Sequence, residues 1–151
     1  MSEAALEVRL AALEAELEAL LAARAKAREA VAAEVVDEQG RTRAMLSTGP
    51  GGTVSLNLLD GQGVLRAALG LGREGPTLSL FDGAATRRLD LHVGADDAPR
   101  LHLVDGAGTR RLELDVDPAG TSSLGVLDAT GAPRAVLLVT GSGRGVVGAS
   151  R

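Results

Sequence analysis

The sequence contains almost no aromatic residues and no cysteine. Phe81 is the one aromatic side chain in 151 residues, and leucine, valine and alanine supply most of the hydrophobic 45%. Globular cores normally rely on aromatic side chains for bulk, so this composition favours a thin interior built from repeated aliphatic layers. The lack of cysteine excludes disulfides, thiolate metal sites and cysteine catalysis.

Lysine and clustered positive charge are also scarce. Lys26 is the only lysine among 16 basic residues, and the net charge is −4. Without a basic stripe or aromatic platforms, nucleic-acid binding is disfavoured. The first five residues are acidic rather than basic, and no apolar run approaches the roughly 18 residues of a membrane span. We therefore expect no signal peptide and no membrane insertion, with the cytoplasm or a virion as the location.

Residues 1–35 carry a heptad pattern and predict a parallel coiled coil. Leucine recurs at spacings of four, three, four and three, which places it at the a and d positions of a heptad, and the helix is expected to end near residues 33–36. Leucine at both positions does not select between dimer, trimer and tetramer. The alternative is one amphipathic helix packed on its own β domain. The oligomerisation residues are Leu6, Leu10, Leu13, Leu17 and Leu20.

Residues 36–140 contain five copies of one unit, which read VVDEQGRTRAML, LLDGQGVLRAAL, LFDGAATRRLDL, LVDGAGTRRLEL and VLDATGAPRAVL. Each copy holds an aspartate followed six positions later by an arginine, and successive aspartates are 22 or 23 residues apart. Such repetition indicates a repeat architecture. The pairs are Asp37 and Arg43, Asp60 and Arg66, Asp82 and Arg88, Asp105 and Arg111, and Asp128 and Arg134.

Each copy predicts two half-buried strands joined by a tight turn. Apolar and polar residues alternate on both sides of the D-x-x-G segment, which suits a type I turn ending in a left-handed glycine. Ala85 occupies that glycine position in the third copy, so it is either strained or part of a different turn. Residues 141–151 are predicted to be a glycine-rich tail or a last strand.

The energetics of one repeat decide between architectures. About five buried apolar side chains contribute roughly 7–15 kcal/mol, whereas ordering about 23 backbone units costs on the order of 23–45 kcal/mol. One repeat therefore cannot fold alone, and a stacked sheet still needs a cover for its apolar face. We expect mainly β structure behind an N-terminal α-helix: a parallel coiled coil followed by a trimeric, β-prism-like or β-helix-like shaft. A closed monomeric β-solenoid is the alternative.

The second copy, Asp60 to Leu69 within DGQGVLRAAL, carries a family resemblance. It resembles bacterial proteins that repeat LxLxDxxGxxRAxLxL behind a coiled-coil or membrane-anchoring helix, and the resemblance covers about residues 37–139. It implies an architecture and no activity. More loosely, a helix followed by a β shaft is similar to trimeric phage tail fibres and stalks, which is an analogy of architecture alone.

Several groups of residues resemble parts of known kinds of site. Asp96 with Asp97, and Asp115 with Asp117, lack the acidic loop of a calcium site and are read as solvated turn carboxylates. His92 and His102 lie on the polar face of neighbouring predicted strands, where they are read as exposed residues rather than metal ligands or a pH sensor. The segment 141–145 lacks the lysine of a phosphate loop and is read as a flexible tail or a last turn.

The repeated Asp/Arg pairs are predicted to be structural, because a repeat needs them in every layer whereas catalysis needs one site. The alternative is a ladder of arginines facing an anionic polymer. No nucleophile motif occurs, and no catalytic, cofactor-binding or metal-binding residue is assigned. The sequence thus predicts a non-catalytic homo-oligomer of fibre, spike or scaffold type that needs no cofactor and has itself as partner. The alternative function is a polymer- or glycan-binding module that presents repeated polar faces.

Overall fold

The computed structural model describes residues 9–10, 12–21 and 31–149. Residues 9–10 and 12–21 are helical, and the rest of the described chain forms one antiparallel sheet of eleven strands. The prediction of a mainly β chain with an N-terminal helix is confirmed. Within these ranges, no helix combines the length and apolar character needed to cross a membrane.

The eleven strands pair in strict sequence order, each with the strand before and the strand after it. The five predicted strand–turn–strand units form five successive hairpins, and one further strand follows them within residues 141–151. The strands are β1 (Val31–Val36), β2 (Thr42–Gly49), β3 (Thr53–Leu59), β4 (Leu65–Gly72), β5 (Gly75–Phe81), β6 (Arg87–Val93), β7 (Pro99–Val104), β8 (Arg110–Val116), β9 (Ser122–Leu127), β10 (Pro133–Val139) and β11 (Gly145–Ala149).

The predicted helix end near residues 33–36 is wrong, because Val31–Val36 form β1. Val35 lies opposite Ala44 of β2, and Glu34 lies opposite Met45. The heptad pattern had already lost its leucines before this segment, and β-branched residues suit an extended strand better than a helix. Pairing with β2 therefore decides the conformation of the segment.

The alternative of a closed monomeric β-solenoid is also wrong for the described residues. The sheet runs from β1 to β11, and these two edge strands do not pair with each other. An open antiparallel sheet leaves both of its faces to be covered by something else or exposed to solvent. The described part of a single chain therefore forms an open sheet with β1 and β11 at its two edges.

One face of the sheet carries a continuous ladder of leucines, here called the leucine face. Leu56 lies opposite Leu46 on one side and Leu69 on the other, and this pairing repeats at each following strand. Residues that pair across an antiparallel ladder point to the same face. The central row therefore crosses nine strands through Leu46, Leu56, Leu69, Leu78, Leu91, Leu101, Leu114, Leu124 and Leu137.

The opposite face, here called the polar face, carries small and polar side chains in its central row. Ser79 of β5 lies opposite Asp90 of β6, which lies opposite His102 of β7. The side chains of this row are half-buried or buried, whereas many of the leucines behind them are exposed. The central row of the polar face runs through Asn57, Ala68, Ser79, Asp90, His102, Glu113 and Gly125.

The described residues of a single chain bury very little apolar surface. Ala98 and Leu127 are their only buried hydrophobic residues, and Ser79 is their only buried polar one. By contrast, thirteen leucines and valines in the strands from β2 to β10 are 37–55% exposed, and all of them lie on the leucine face. They are Leu46, Val54, Leu56, Leu58, Leu69, Leu71, Leu80, Leu91, Leu103, Leu114, Val126, Leu137 and Val139.

The predicted D-x-x-G turn is present in all five repeats. The aspartate carbonyl accepts a hydrogen bond from the amide three residues later, at 2.9–3.1 Å, and the residue that donates it has positive φ. The third copy forms the same turn with Ala85, whose φ is 59°. Of the two predicted possibilities, the strained turn is therefore the one observed.

Replacing Ala85 with glycine is expected to stabilise the protein by about 0.5–1 kcal/mol. A left-handed alanine costs roughly 1–2 kcal/mol, and the extra backbone entropy of unfolded glycine cancels about half of that. The free energy of unfolding, measured with denaturant at constant protein concentration, checks this. The matched control is Ala84→Gly, because Ala84 lies in the same turn without positive φ; it should be neutral or destabilising. Equal effects of both changes would contradict the assignment of strain to Ala85.

Candidate functional site

The repeated aspartates bind the backbone of their own turns. In every repeat the carboxylate Oδ1 accepts hydrogen bonds from the amides two and four residues later, at 2.8–3.1 Å. In the fourth repeat, Asp105 accepts from Ala107 at 2.9 Å and from Thr109 at 3.0 Å. These bonds close the turn from inside, as an aspartate at a turn start commonly does.

The same contacts shift the aspartate pKa values downward. Backbone amides are the main cause for Asp60, Asp82 and Asp105, and hydrogen bonding to the ionised carboxylate lowers its pKa. At Asp37 the side chain of Arg41 is the largest cause of the lowered pKa, and at Asp128 it is the hydroxyl of Thr130. All five carboxylates are therefore ionised at neutral pH and remain acceptors for their turns.

The repeated arginines occupy β-bulges. Between β7 and β8, Leu103 lies opposite Leu112 while Val104 lies opposite Arg110, so Arg111 has no partner in the ladder. The same shift leaves the equivalent arginine as the extra residue in the other four hairpins: Arg43, Arg66, Arg88 and Arg134. A bulge re-aims the side chain of its extra residue. The arginines are recognisable from their spacing in the sequence, but the bulge is not, because it depends on the register of the partner strand.

Each of the first four arginines links its own repeat to the next. Its Nε donates to the carbonyl of the residue just before the next aspartate, at 2.8–3.2 Å. Arg111, for example, donates to Leu127 O at 3.0 Å, while its Nη1 lies 3.3 Å from Asp105 Oδ2. The fifth arginine, Arg134, contacts its own Asp128 through Nε and Nη2, at 2.7 and 2.6 Å. The structure thus brings every predicted Asp/Arg pair together.

Replacing Arg111 with lysine is expected to destabilise the fold by about 1 kcal/mol. One ammonium cannot reproduce two separated contacts of a planar guanidinium. A hydrogen bond from a charged donor contributes roughly 1.5–3 kcal/mol to the free energy of unfolding, and less when the donor is exposed. The matched control is Arg110→Lys, because Arg110 makes an exposed ion pair with Glu113 of its own strand, at 3.2 Å, instead of a link to the next repeat. Denaturant unfolding compares the two variants. An equal loss of unfolding free energy in the two variants would contradict a linking role for Arg111.

Among the described residues, the other candidate acidic groups take part in no cluster of three or more metal-ligating side chains. Asp96 pairs with Arg100, which together with the amide of Ala98 lowers its pKa strongly. Asp115 accepts from Ser123, and Asp117 accepts from the amide of Thr121 at 2.8 Å. These contacts are those of turn and strand carboxylates. Residues 140–144, at the proposed tail, form a turn of the same hydrogen-bonding type between β10 and β11.

The prediction that His92 and His102 are exposed is wrong, because both are half-buried on the polar face. They approach each other, and Asp90 joins them. The two imidazole centroids are 5.3 Å apart. Asp90 Oδ2 lies 3.3 Å from His92 Nδ1 and 4.0 Å from His102 Nδ1. We call these three residues the histidine cluster. Asp90 was missed because its position opposite His102 depends on the register of β6 and β7.

The surroundings of the histidine cluster hold it in place. Asp90 Oδ1 accepts a hydrogen bond from the buried Ser79 at 3.0 Å and lies 3.4 Å from Arg87 Nη1. Burial is the largest cause that lowers the pKa of His102, and the nearby Arg110 and His92 lower it further. Asp90 and Glu113 have the opposite, smaller effect. His102 is therefore neutral at pH 7.

The leucines of the heptad are exposed in the single chain. Leu10, Leu13, Leu17 and Leu20 are 56–62% exposed, so this stripe is not packed on the sheet and the alternative of an intramolecular cover is wrong for these residues. Leu6 lies outside the described residues.

A scan of the sequence against protein-family models finds no match, and a search among curated proteins finds none either.

Proposed function

We propose that this protein is a non-catalytic homo-oligomer, assembled as a parallel trimer, that serves as a fibre, spike or scaffold module. The observation that carries the proposal is the leucine face. The ladder of leucines crosses nine strands, and the face that carries it leaves thirteen leucines and valines exposed in one chain. This surface is far larger than the scattered apolar residues of ordinary surfaces. The polar face gives no comparable reason for self-association.

The energy available on the leucine face is of the right size for assembly. Covering the exposed half of a leucine or valine contributes about 1 kcal/mol, so covering most of the thirteen exposed residues contributes on the order of 10 kcal/mol per chain. Association costs an estimated 4–15 kcal/mol in lost freedom. The face therefore supports a stable assembly only if most of it is covered.

The heptad leucines supply the second part of the argument. A parallel coiled coil brings the start of each sheet into the same register, which lets equal leucine faces meet along their length. Once the chains are linked by the helix, contacts between the sheets become intramolecular and gain an effective concentration. In the proposed trimer, three open sheets turn their apolar faces to one common axis and leave none outward.

The arginine links and turn aspartates support a structural role. The arginines of the first four repeats hold successive repeats together along the sheet. The aspartates close the turn of every repeat, so these contacts recur along the sheet rather than at one place. A shaft carries load through such regular contacts, since every repeat contributes the same interface with its neighbour.

Sedimentation equilibrium tests the proposal and is expected to give three times the 15.3 kDa mass of one chain. The variant Leu13→Asn/Leu17→Asn should shift the protein toward single chains on dilution, because both leucines belong to the heptad seam. The matched control is Leu21→Asn, since Leu21 is equally exposed but lies outside the seam. A wild-type mass of one chain over the whole concentration range would exclude the proposal.

A further inference from the structure

We infer that the histidine cluster is a binding site for a divalent transition ion of the zinc class. Asp90, His92 and His102 each offer one ligand atom, and these atoms all lie within 4.8 Å of one another. Among the described residues, this is the only place where three such groups converge. Two imidazoles and one carboxylate form a ligand set that suits Zn²⁺ and its neighbours in the first transition row.

The distances from Asp90 Oδ2 to the two imidazoles approach those of tetrahedral coordination. Zinc bonds of 2.0–2.2 Å to nitrogen and oxygen place neighbouring ligand atoms about 3.3 Å apart. His92 Nδ1 already lies 3.3 Å from Asp90 Oδ2. His102 Nδ1, at 4.0 Å from the same oxygen, must approach by about 0.7 Å.

His92 Nδ1 also lacks a hydrogen bond. It is a buried atom whose contact with Asp90 Oδ2 does not have hydrogen-bond geometry, and no other partner satisfies it. A buried polar atom without a partner costs free energy. Coordination of a cation between the two histidines and Asp90 would satisfy this nitrogen directly.

The residues around Asp90 provide the outer support that metal ligands normally have. Ser79 holds Oδ1 at 3.0 Å, which leaves Oδ2 directed at the two imidazoles. Such outer hydrogen bonds orient the ligands of a metal. The positive charge of Arg87, whose Nη1 lies 3.4 Å from Asp90 Oδ1, repels a bound cation. The Arg87 side chain is 56% exposed, so solvent screens this repulsion and the side chain can turn toward water when a cation binds.

The site lies on the polar face, so assembly through the leucine face leaves it open. Three protein ligands leave the remaining coordination positions to water or to a further ligand, as in open zinc sites. The inference does not depend on the proposed trimer, since all three ligands come from one chain.

Calorimetric titration of the untagged, full-length protein with Zn²⁺ tests the inference. We expect saturable binding of one ion per chain, weakened at least tenfold in His102→Gln and in Asp90→Asn, because even loss of an outer partner of a metal ligand typically costs 10–100-fold. Asp115→Asn is the matched control: Asp115 also accepts a hydrogen bond from a serine on the polar face, but it belongs to no cluster. This control should bind like wild type.

A second measurement keeps the test decisive if a variant fails to fold. In the wild-type protein labelled with nitrogen-15, Zn²⁺ should shift the Nδ1 resonances of both imidazoles in proportion to occupancy. No saturable binding up to millimolar Zn²⁺, unchanged imidazole resonances, or wild-type affinity in folded His102→Gln would each overturn the inference.

Discussion

Placing aspartate at Leu91 and Leu114 together is expected to convert the assembly into single chains. Both side chains are exposed in one chain, at 41% and 47%, so the isolated sheet tolerates the charges. In the assembly they would be buried against apolar side chains, where an unpaired carboxylate costs several kcal/mol. Two such costs per chain exceed the margin by which the leucine face favours association.

Sedimentation equilibrium of this double variant should give the mass of one chain, with circular dichroism of the strands retained. The matched control is Val146→Asp, because Val146 is 45% exposed and its strand partner Leu138 belongs to the polar face. The control should keep the wild-type mass. If Leu91→Asp/Leu114→Asp also kept it, the leucine face would not be the interface.

Replacing Gly75 with alanine is expected to be the most destabilising single change that a methyl group can make here. Gly75 follows the two-residue turn between β4 and β5 and has φ of 109°. A Cβ at this position would lie 2.2 Å from the carbonyl oxygen of Val93. Because that oxygen belongs to the backbone of β6, the strands themselves must separate.

The control for this change is Gly63→Ala, which also has positive φ, at 79°, but meets no atom within 4 Å. Its cost should be about 1 kcal/mol, from the left-handed conformation alone. Gly75→Ala should lose at least about 2 kcal/mol more, from overlap with a rigid neighbour. Denaturant unfolding at equal protein concentrations measures the difference, and losses of equal size would contradict the close approach of β6.

The repeat itself was predictable because its signals are local. The six-residue spacing from Asp105 to Arg111 and the glycine at Gly108 lie within one turn and its flanking residues, and turn chemistry depends on such short-range contacts. Even the unusual position of Ala85 followed from the alignment of the copies. The strand alternation likewise needs only neighbouring residues.

The β1 segment shows where local signals fail. The helix was predicted to extend to residues 33–36, yet pairing with β2 makes residues 31–36 a strand. The arginine bulges could not be predicted either, since a bulge is defined by the partner strand. Only the register between Val104 and Arg110 shows that Arg111 is the extra residue.

By itself, the sequence determined the number of repeats, their turns, the apolar side of each strand and the pairing of each aspartate with its arginine. All of these depend on residues within one hairpin. The tertiary structure alone decided that the strands form one open sheet, that the arginines reach into the following repeat and that Asp90 joins His92 and His102. The reason is physical: strand register and edge pairing are set by contacts between separate hairpins, and their geometry exists only once those hairpins lie side by side.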